Sequence, residues 1–375
     1  DFRTGNKVWE TAGVVARRVR VHPEKPSVLL LVSPAVVSCV VVGNDKWDQS
    51  ATLLTQPHEH VMDAAFARPG TPEVVVLMRG GLYLWDPDGD ESRLTCLQPF
   101  TRRSARCLAL SDGAAFVGKA TGDLVCVDLW KDECLSPPAR EPPRAAVLPD
   151  DRASFTVIGQ GHTATLTDGA GEPLEIVALS VSTSSPVVAA ASAHAVGLWA
   201  LDTWDKLNHI ACAHRIVGAE VRRFGKSQRL LLAGQPVDQY GIDHGFVGIY
   251  DVGMVVSNAA CERLGFLRPP DGSVACGYLK LQPPFHPRLV PLAAEFSPVQ
   301  PAEQDPAAPM TVVVLFKTAV GIWTVPRDSK KSTLSVQMLE SPVPEGFESI
   351  DVSPNSKSVM VHCKEWASSR TFDLP

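Results

Sequence analysis

The residues of this chain that could do chemistry form small clusters, and the first is acidic. Asp86-Pro87-Asp88-Gly89-Asp90-Glu91 brings carboxylates together as a Ca²⁺ loop does. Pro87 stands in the second place, and no Glu follows at the spacing needed for a bidentate ligand. The segment therefore predicts a solvated turn at the end of a strand, without a bound cation.

A second cluster, His58-Glu59-His60, could turn two imidazoles to one side of a strand and bind a transition metal. Gln56-Pro57 places His58 in a loop, and no Cys or Asp cluster lies nearby. Cys126 and Cys134 are too far apart to act as a C-x-x-C pair. The sequence therefore predicts no metal site and no cofactor.

Motifs for nucleophilic catalysis and phosphate binding are missing. The chain contains no G-x-S-x-G, no P-loop and no H-E-x-x-H segment. Ser, His and Asp occur without a local context that would mark a triad, and no small-molecule substrate is evident. We therefore predict a protein without catalytic residues, and an enzyme with a pocket on its axis stays open as the alternative.

Two basic clusters stand against a net charge of −6. One is Arg102-Arg103 with Arg106, and the other is Arg222-Arg223 with Lys226 and Arg229. Their guanidinium groups could bind acidic peptides or phosphates through paired hydrogen bonds, although a solvated turn is the commoner explanation for each cluster. The acidic balance and a total of 4 Tyr argue against a nucleic-acid platform. RNA or DNA binding through these clusters is an alternative that is not favoured.

Composition predicts an intracellular protein, cytoplasmic or nuclear. The 9 Cys are odd in number and scattered, and Cys39, Cys107 and Cys126 lie in apolar strands. Such a pattern predicts buried reduced thiols and not a secreted disulfide framework. No apolar run approaches the ~18 residues that cross a bilayer, so no membrane span is predicted.

A short sequence motif, which recurs at spacings of roughly 40–75 residues, indicates the strands that must position these residues. In each copy a small or turn-forming residue precedes an alternating strand that ends in an aromatic residue or Asp. The copies are Val196-Gly197-Leu198-Trp199, Val247-Gly248-Ile249-Tyr250, Val320-Gly321-Ile322-Trp323, Gly81-Leu82-Tyr83-Leu84-Trp85-Asp86 and Gly122-Asp123-Leu124-Val125-Cys126-Val127-Asp128. Together with many β-branched runs and no helical periodicity, they predict an all-β chain of small four-stranded sheets.

Four segments resemble the WD40 family of β-propellers: Phe66-x-x-Pro69, Phe296-Ser297-Pro298, Val352-Ser353-Pro354 and Leu84-Trp85-Asp86. The turn Asp of the family is matched at Asp123, and its Gly-His dipeptide is echoed at His58, His60 and His214. The resemblance covers almost the whole chain. It implies a non-catalytic scaffold for other proteins within a multi-subunit intracellular assembly, which is a fold-level analogy.

We predict one propeller domain over residues 1–375, as part of a longer protein or as an excised domain. Eight alternating strands, each followed by a turn, recur along the chain and predict eight four-stranded blades. The fourth, around Leu148 to Asp168, is short, so seven blades and an irregular segment is the alternative. The last blade supplies three strands, and Lys7-Val8-Trp9-Glu10 is predicted to pair with them and close the ring. Trp85, Trp199, Tyr250 and Trp323 are predicted to pack between neighbouring blades.

Two long stretches are predicted to enlarge one face. Residues 235–244 lie between the second and third strands of the sixth blade, and 268–287 connect the sixth and seventh blades. Strands alternate in direction, so both would emerge on the same face, with 298–309 on the opposite face. Long loops on a rigid scaffold are where binding concentrates, so we expect a partner there. The candidate binding residues, including those of the basic clusters, are Gln235, Asp238, Tyr240, Asp243, His244, Arg102, Arg103, Arg106, Arg222 and Arg223.

Overall fold

The computed structural model shows β-strands and their connections. The residues that it describes are 18–22, 24–25, 27–42, 47–55, 59–67, 70–88, 93–100, 104–111, 113–129, 162–168, 170–181, 187–201, 204–212, 214–224, 227–237, 245–255, 275–281, 290–297, 310–316, 319–325, 335–340, 347–352, 358–363 and 368–373. All regular elements in these ranges are strands, which confirms the all-β prediction. Within the same ranges there is no helix that could cross a membrane.

The chain divides into two compact units. The first unit contains the described residues from Arg18 to Leu166 together with Pro173–Leu179. The second unit contains Thr167–Glu172 and the described residues from Ser180 onwards.

Three four-stranded antiparallel sheets form the first unit, and in each the strands are neighbours in chain order. The first sheet consists of β1 (Arg18–Val21), β2 (Val28–Val32), β3 (Val36–Val42) and β4 (Trp47–Leu54). The second sheet consists of β5 (Val61–Phe66), β6 (Val74–Met78), β7 (Gly81–Asp86) and β8 (Arg93–Pro99). The third sheet consists of β9 (Ala105–Ser111), β10 (Ala114–Lys119), β11 (Asp123–Asp128) and β12 (His162–Thr165).

The second unit continues the same pattern, and its division from the first unit falls within β13. The fourth sheet consists of β13 (Ala178–Val181), β14 (Val187–Ala191), β15 (Ala195–Ala200) and β16 (Lys206–Ala211). The fifth sheet consists of β17 (Arg215–Phe224), β18 (Ser227–Gln235), β19 (Phe246–Val255) and β20 (Ala275–Leu281). The sixth sheet consists of β21 (Pro291–Phe296), β22 (Met310–Phe316), β23 (Ala319–Val325) and β24 (Ser335–Glu340). The last consists of β25 (Phe347–Val352), β26 (Ser358–Cys363) and β27 (Ser368–Asp373).

The described residues thus form seven sheets, six with four strands and one with three. From the predicted fourth blade, the described strand β12 pairs with β11 as the fourth strand of the third sheet, with His162 opposite Cys126. The remainder of that predicted blade up to residue 161 lies outside the described residues, as does Lys7-Val8-Trp9-Glu10.

The recurring Gly-x-aromatic phrase has a steric reason. Alternate residues of a strand point to the same face, so Gly321 and Trp323 of β23 are neighbours on one side of the sheet. A Cβ atom on Gly321 would lie 2.5 Å from Cη2 of the Trp323 ring. Gly81 stands in the same relation to Tyr83, whose Cε2 would lie 3.1 Å from such an atom. The glycine leaves the space that the ring occupies.

Of the four aromatic residues predicted to pack between neighbouring sheets, Trp85 and Trp323 do so. Trp85 is 1% exposed and lies in a cluster with Leu30 and Val37 of the first sheet. Trp323 is fully buried in a cluster that includes Leu231 of the fifth sheet. Trp199 and Tyr250 are buried as well. Each buried ring of this size removes a large apolar area from water.

Asp123 and Asp86, at two turns, accept hydrogen bonds through their side chains. Thr121 Oγ1 donates to Asp123 Oδ2 at 2.8 Å, and Thr165 Oγ1 donates to Asp123 Oδ1 at 3.4 Å. Gly122 beside them has φ +80°, a conformation that glycine adopts without strain. In the other turn the Asp88 amide donates to Asp86 Oδ1 at 3.1 Å. That bond is an Asx turn, as expected where a strand ends in Asp.

Candidate functional site

In each four-stranded sheet neighbouring strands alternate in direction, so the second-to-third turn lies at the end where the first strand begins and the fourth strand ends, and we call this end the loop edge. Backbone hydrogen bonds join such turns to the connections between neighbouring sheets. The Arg79 amide donates to the His60 carbonyl at 3.2 Å, and the Cys212 amide donates to the His194 carbonyl at 2.8 Å. The predicted convergence of the two loop types on one side is therefore confirmed for these sheets.

At the loop edge of the second unit, the stems of two loops meet at Pro291. Gln235 ends β18, and its Nε2 donates to the Pro291 carbonyl at 3.0 Å. Gly245, just before β19, is buried so closely against Pro291 that an added Cβ would overlap its Cδ. The described residues at which the loop 236–244 begins and ends, and at which the connection 282–290 ends, therefore lie side by side. We call Gln235, Gly245 and Pro291 the stem cluster.

The stem cluster rests on a packed base. The His214 and Phe246 rings meet edge to face, with centroids 4.6 Å apart. A side chain at Gly234 would overlap the Phe246 ring, so the glycine allows the ring to lie against β18. His194 Nδ1 lies 3.2 Å from the His214 carbonyl, within hydrogen-bond distance. Both rings are buried, and the position of the stems is therefore set by the cores of their sheets.

The predicted stretch 268–287 is not one loop, and this part of the prediction was wrong. Ala275–Leu281 is β20, which pairs with β19 so that Tyr278 lies opposite Tyr250. The chain therefore leaves β19 and enters β20 at the edge opposite the loop edge, and it leaves β20 at the loop edge. The prolines on both sides of this segment led the sequence analysis to treat a strand as part of a loop.

Four of the ten candidate residues lie within the described ranges. Gln235 belongs to the stem cluster. Arg223 is exposed near the end of β17, and Arg222 and Arg106 form ion pairs. Asp238, Tyr240, Asp243, His244, Arg102 and Arg103 lie outside the residues that the structure describes. As binding residues, all ten stay a prediction.

Arg222 connects the fifth sheet to the sixth through hydrogen bonds at the edge opposite the loop edge. One of its guanidinium nitrogens, Nη2, lies 3.2 Å from Glu220 Oε1, and Nη1 donates to the Ser297 carbonyl. Glu220 Oε2 in turn accepts the Phe296 amide at 2.5 Å. Glu220 precedes Arg222 by two residues, so both side chains share one face of β17. Arg222 therefore has a structural role in addition to any role in binding.

Arg106 is held within the first unit. Its Nε donates to Glu175 Oε1 at 2.5 Å, and its Nη1 donates to the Ala105 carbonyl at 3.3 Å. Both side chains of the pair keep contact with solvent, at 34% and 50% exposure. An exposed pair of this kind contributes less than about 1 kcal/mol to stability.

The sequence analysis did not single out two further arginines that form ion pairs. Arg18 and Arg20 of β1 both reach Asp63 of β5, whose side chain is 1% exposed. Arg18 Nη1 donates to Asp63 Oδ2, and Arg20 Nη2 lies 3.5 Å from the same oxygen. Because Arg18 and Arg20 are two residues apart, both side chains lie on one face of β1. That spacing was the signal available in the sequence. Their partner comes more than forty positions later, at a separation that no local pattern reveals.

The described residues offer few groups for metal binding or for thiol chemistry. No group of three or more His, Cys, Asp or Glu residues there could hold a metal ion. Cys96, Cys107, Cys126 and Cys212 are free thiols. Burial raises the pKa of Cys107 and of Cys212 to about 12. Such thiols are protonated at neutral pH and are poor nucleophiles.

We expect these thiols to make the folded chain unstable in alkali. An unfolded thiol ionises near its ordinary pKa of 9.0, whereas folded Cys107 keeps its proton up to about pH 12. Between these values the folded state binds more protons than the unfolded state, so the free energy of unfolding falls as the pH rises. Chemical unfolding on either side of pH 9 measures the fall, and Cys107→Ala should reduce it. Rapid alkylation of Cys107 in the folded chain at neutral pH would contradict this account.

Comparison with known proteins identifies the fold. No protein-family model and no curated protein matches the chain. Among solved structures, a chain of the mitotic checkpoint complex is 10% identical, with 98% of this chain and 97% of that chain covered and a TM-score of 0.57. The WD40 domain of Neurospora crassa Pan2 is 11% identical over 96% of this chain and 89% of that one, with a TM-score of 0.56.

A third similar structure is the β-propeller domain of Cps50 (Swd1) from Myceliophteria thermophila. It is 13% identical to this chain, and the alignment covers 97% of this chain and 99% of that one, with a TM-score of 0.59. Identities this low inform about the fold alone. The resemblance to WD40 propellers seen in the sequence is confirmed at that level. The chain has the fold of the WD40 β-propeller domains.

Proposed function

We propose that this chain is a protein–protein interaction scaffold whose partner docks on the loop edge of the second unit. WD40 propellers are commonly interaction scaffolds, and one of the similar chains comes from a multi-protein complex. The observation that carries the proposal is the stem cluster, in which Gln235 donates to the Pro291 carbonyl at 3.0 Å. Two loops that leave from one rigid point can present a single continuous surface.

The same proposal includes a closed ring of seven blades. Seven sheets in the described residues support that number. The last of them, β25–β27, has three strands and leaves room for a fourth. Lys7-Val8-Trp9-Glu10 would pair beside β27 as its fourth strand. Closure of this kind removes exposed sheet edges, which otherwise favour aggregation.

The partner is proposed to be another protein of a multi-subunit intracellular assembly. Free thiols at Cys107 and Cys212 support a reducing compartment. The net charge of −6 supports a protein partner over a nucleic acid, since general nucleic-acid binders carry an excess of Lys and Arg.

The test replaces residues 236–244 by a short Gly-Ser turn and keeps Gln235 and Gly245. Affinity capture from the native cell with mass spectrometry should show the loss of a defined set of proteins, with circular dichroism unchanged. The matched control replaces residues 298–309, which join β21 to β22 at the opposite edge, and should keep that set. Equal partner sets for both variants and the wild type would reject the loop edge. The absence of any stable partner would favour the enzyme alternative.

A further inference from the structure

We propose that His194 is a positioning residue for the stem cluster, through which the turn between β14 and β15 helps to set the place where a partner docks. Its role in docking rests on the proposed function, whereas its effect on the stem cluster can be measured without a partner. His194 is partly buried, and the sequence analysis did not single it out.

The turn that carries His194 is held by its own serine. Ser192 is 3% exposed, and its Oγ donates to the Ala195 carbonyl at 3.2 Å and accepts the Ala195 amide at 2.9 Å. The His194 amide also donates to Ser192 Oγ, at 3.3 Å. A hydroxyl that bonds to the backbone in this way fixes a short turn, so the His194 side chain extends from a rigid backbone.

Three hydrogen bonds join this turn to the residues that lead into β17. The Cys212 amide donates to the His194 carbonyl at 2.8 Å. The Ile216 amide donates to the Ala193 carbonyl at 2.7 Å. In the third bond, His194 Nδ1 lies 3.2 Å from the His214 carbonyl oxygen, and Nδ1 is the donor because a carbonyl oxygen can only accept. Of these three bonds, only the last depends on the type of side chain in the turn.

The His214 side chain connects this bond to the stem cluster. Its ring packs edge to face on Phe246, with centroids 4.6 Å apart, and an added Cβ on Gly234 would lie 2.7 Å from the His214 Cβ. Phe246 is 4% exposed and directly follows Gly245 of the stem cluster. In an interior packed this closely, a shift of the His214 backbone displaces its neighbours. The hydrogen bond from the turn therefore constrains the stem cluster.

The first sheet shows that such a turn does not require a histidine. In the turn between β2 and β3, Ser33 Oγ donates to the Val36 carbonyl and accepts the Val36 amide, both at 3.0 Å. The Pro34 and Ala35 carbonyls accept amides from the chain that leads into β5, at 2.9 Å and 3.0 Å. Ala35 therefore takes the place that His194 takes in the fourth sheet, with the same backbone bonds and no side-chain donor. The histidine is an addition to what the turn itself needs.

The experiment measures hydrogen–deuterium exchange of the whole chain without a partner. His194→Ala gives the fourth sheet the residue that the first sheet has at this place, so we expect the variant to fold. Exchange in peptides that cover 245–250 should become about fivefold faster, the effect of losing one hydrogen bond. His194→Asn keeps a donor nitrogen bonded to Cγ and should stay within about twofold of the wild type. His194→Leu fills a similar volume without a donor and should exchange like His194→Ala.

Thr55→Val is the matched control. Thr55 Oγ1 donates to the Ala35 carbonyl at 3.0 Å, so the variant removes a side-chain hydrogen bond at the corresponding turn of the first sheet. Exchange in 245–250 should not change. The proposal would be overturned if His194→Ala left this exchange unchanged, if Thr55→Val accelerated it equally, or if His194→Asn exchanged as fast as His194→Ala. Exchange in His194→Leu as slow as in the wild type would overturn it as well, because packing and not the donor would then position the stems.

Partner capture tests the role of this positioning in docking. Proteins that are lost when residues 236–244 are replaced should bind His194→Ala about fivefold more weakly and His194→Asn as they bind the wild type. Full binding by His194→Ala would overturn the role in docking. If the replacement of 236–244 loses no protein, the proposed function fails, and the order of exchange rates still decides whether His194 positions the stem cluster.

Discussion

Replacing Trp85 by Ala should lower the free energy of unfolding by about 4 kcal/mol, the largest effect that we expect from a single substitution. The ring is 1% exposed and packs between the first and second sheets, among Leu30, Val37 and Met78. Truncation removes apolar contacts on both sides and leaves a cavity that two rigid sheets cannot close. Urea unfolding followed by circular dichroism measures the loss.

Trp85→Phe is the informative control. The indole Nε1 of Trp85 is buried and has no hydrogen-bond partner among the described residues. Phe keeps most of the apolar area and removes that polar group, so we expect a loss of only about 1 kcal/mol. If Trp85→Ala cost as little as Trp85→Phe, the ring would not be the contact that joins these sheets.

Gly245→Ala should lower the free energy of unfolding by about 2–3 kcal/mol, the second largest effect. The added Cβ would overlap Pro291 Cδ and lie 3.1 Å from the Gly234 carbonyl oxygen. Neither neighbour is the free end of a flexible side chain, so β19 or β21 must move. Chemical unfolding measures the cost, and the same variant should weaken capture of any partner that docks on residues 236–244.

A double-mutant cycle tests whether Pro291 is the cause. Pro291→Ala removes the ring atoms that the new Cβ would meet, and the double variant should recover about 1–2 kcal/mol relative to the sum of the single changes. Additive effects of Gly245→Ala and Pro291→Ala would show that the stems do not meet at this point.

The strands were the part of the fold that local sequence predicts best. Val74–Met78 and Met310–Phe316 are continuous apolar runs, and the structure makes them β6 and β22, the second strands of their sheets. The Gly-x-aromatic phrase was predictable for the same reason, since a ring at Trp323 requires space at Gly321 in the same strand. Interactions of this kind lie within one strand or one hairpin and leave a mark at short spacing.

Pairing between distant segments was harder to predict. The strand at His162–Thr165 completes the third sheet, although its neighbour β11 ends more than thirty residues earlier. The strand at Ala275–Leu281 lies between proline-rich stretches that dominated the local pattern. In both cases the partner strand, and not the segment itself, decides the outcome.

The candidate site shows the same limit. Glu220 stands two residues from Arg222, so their ion pair could have been read from strand alternation. The partners of Arg18 and Arg106 are Asp63 and Glu175, and each pair bridges different strands or loops of the first unit. A basic cluster in a sequence therefore does not reveal which of its charges are already balanced in the fold.

The central claim is that a partner protein docks where two loops leave the stem cluster. Hydrogen–deuterium exchange of the whole chain, free and bound to a partner identified by capture, tests it most directly. We expect slower exchange on binding in peptides that cover 236–244 and 282–290, which flank Gln235, Gly245 and Pro291. Slower exchange confined to 256–274 and 298–309 would contradict the claim.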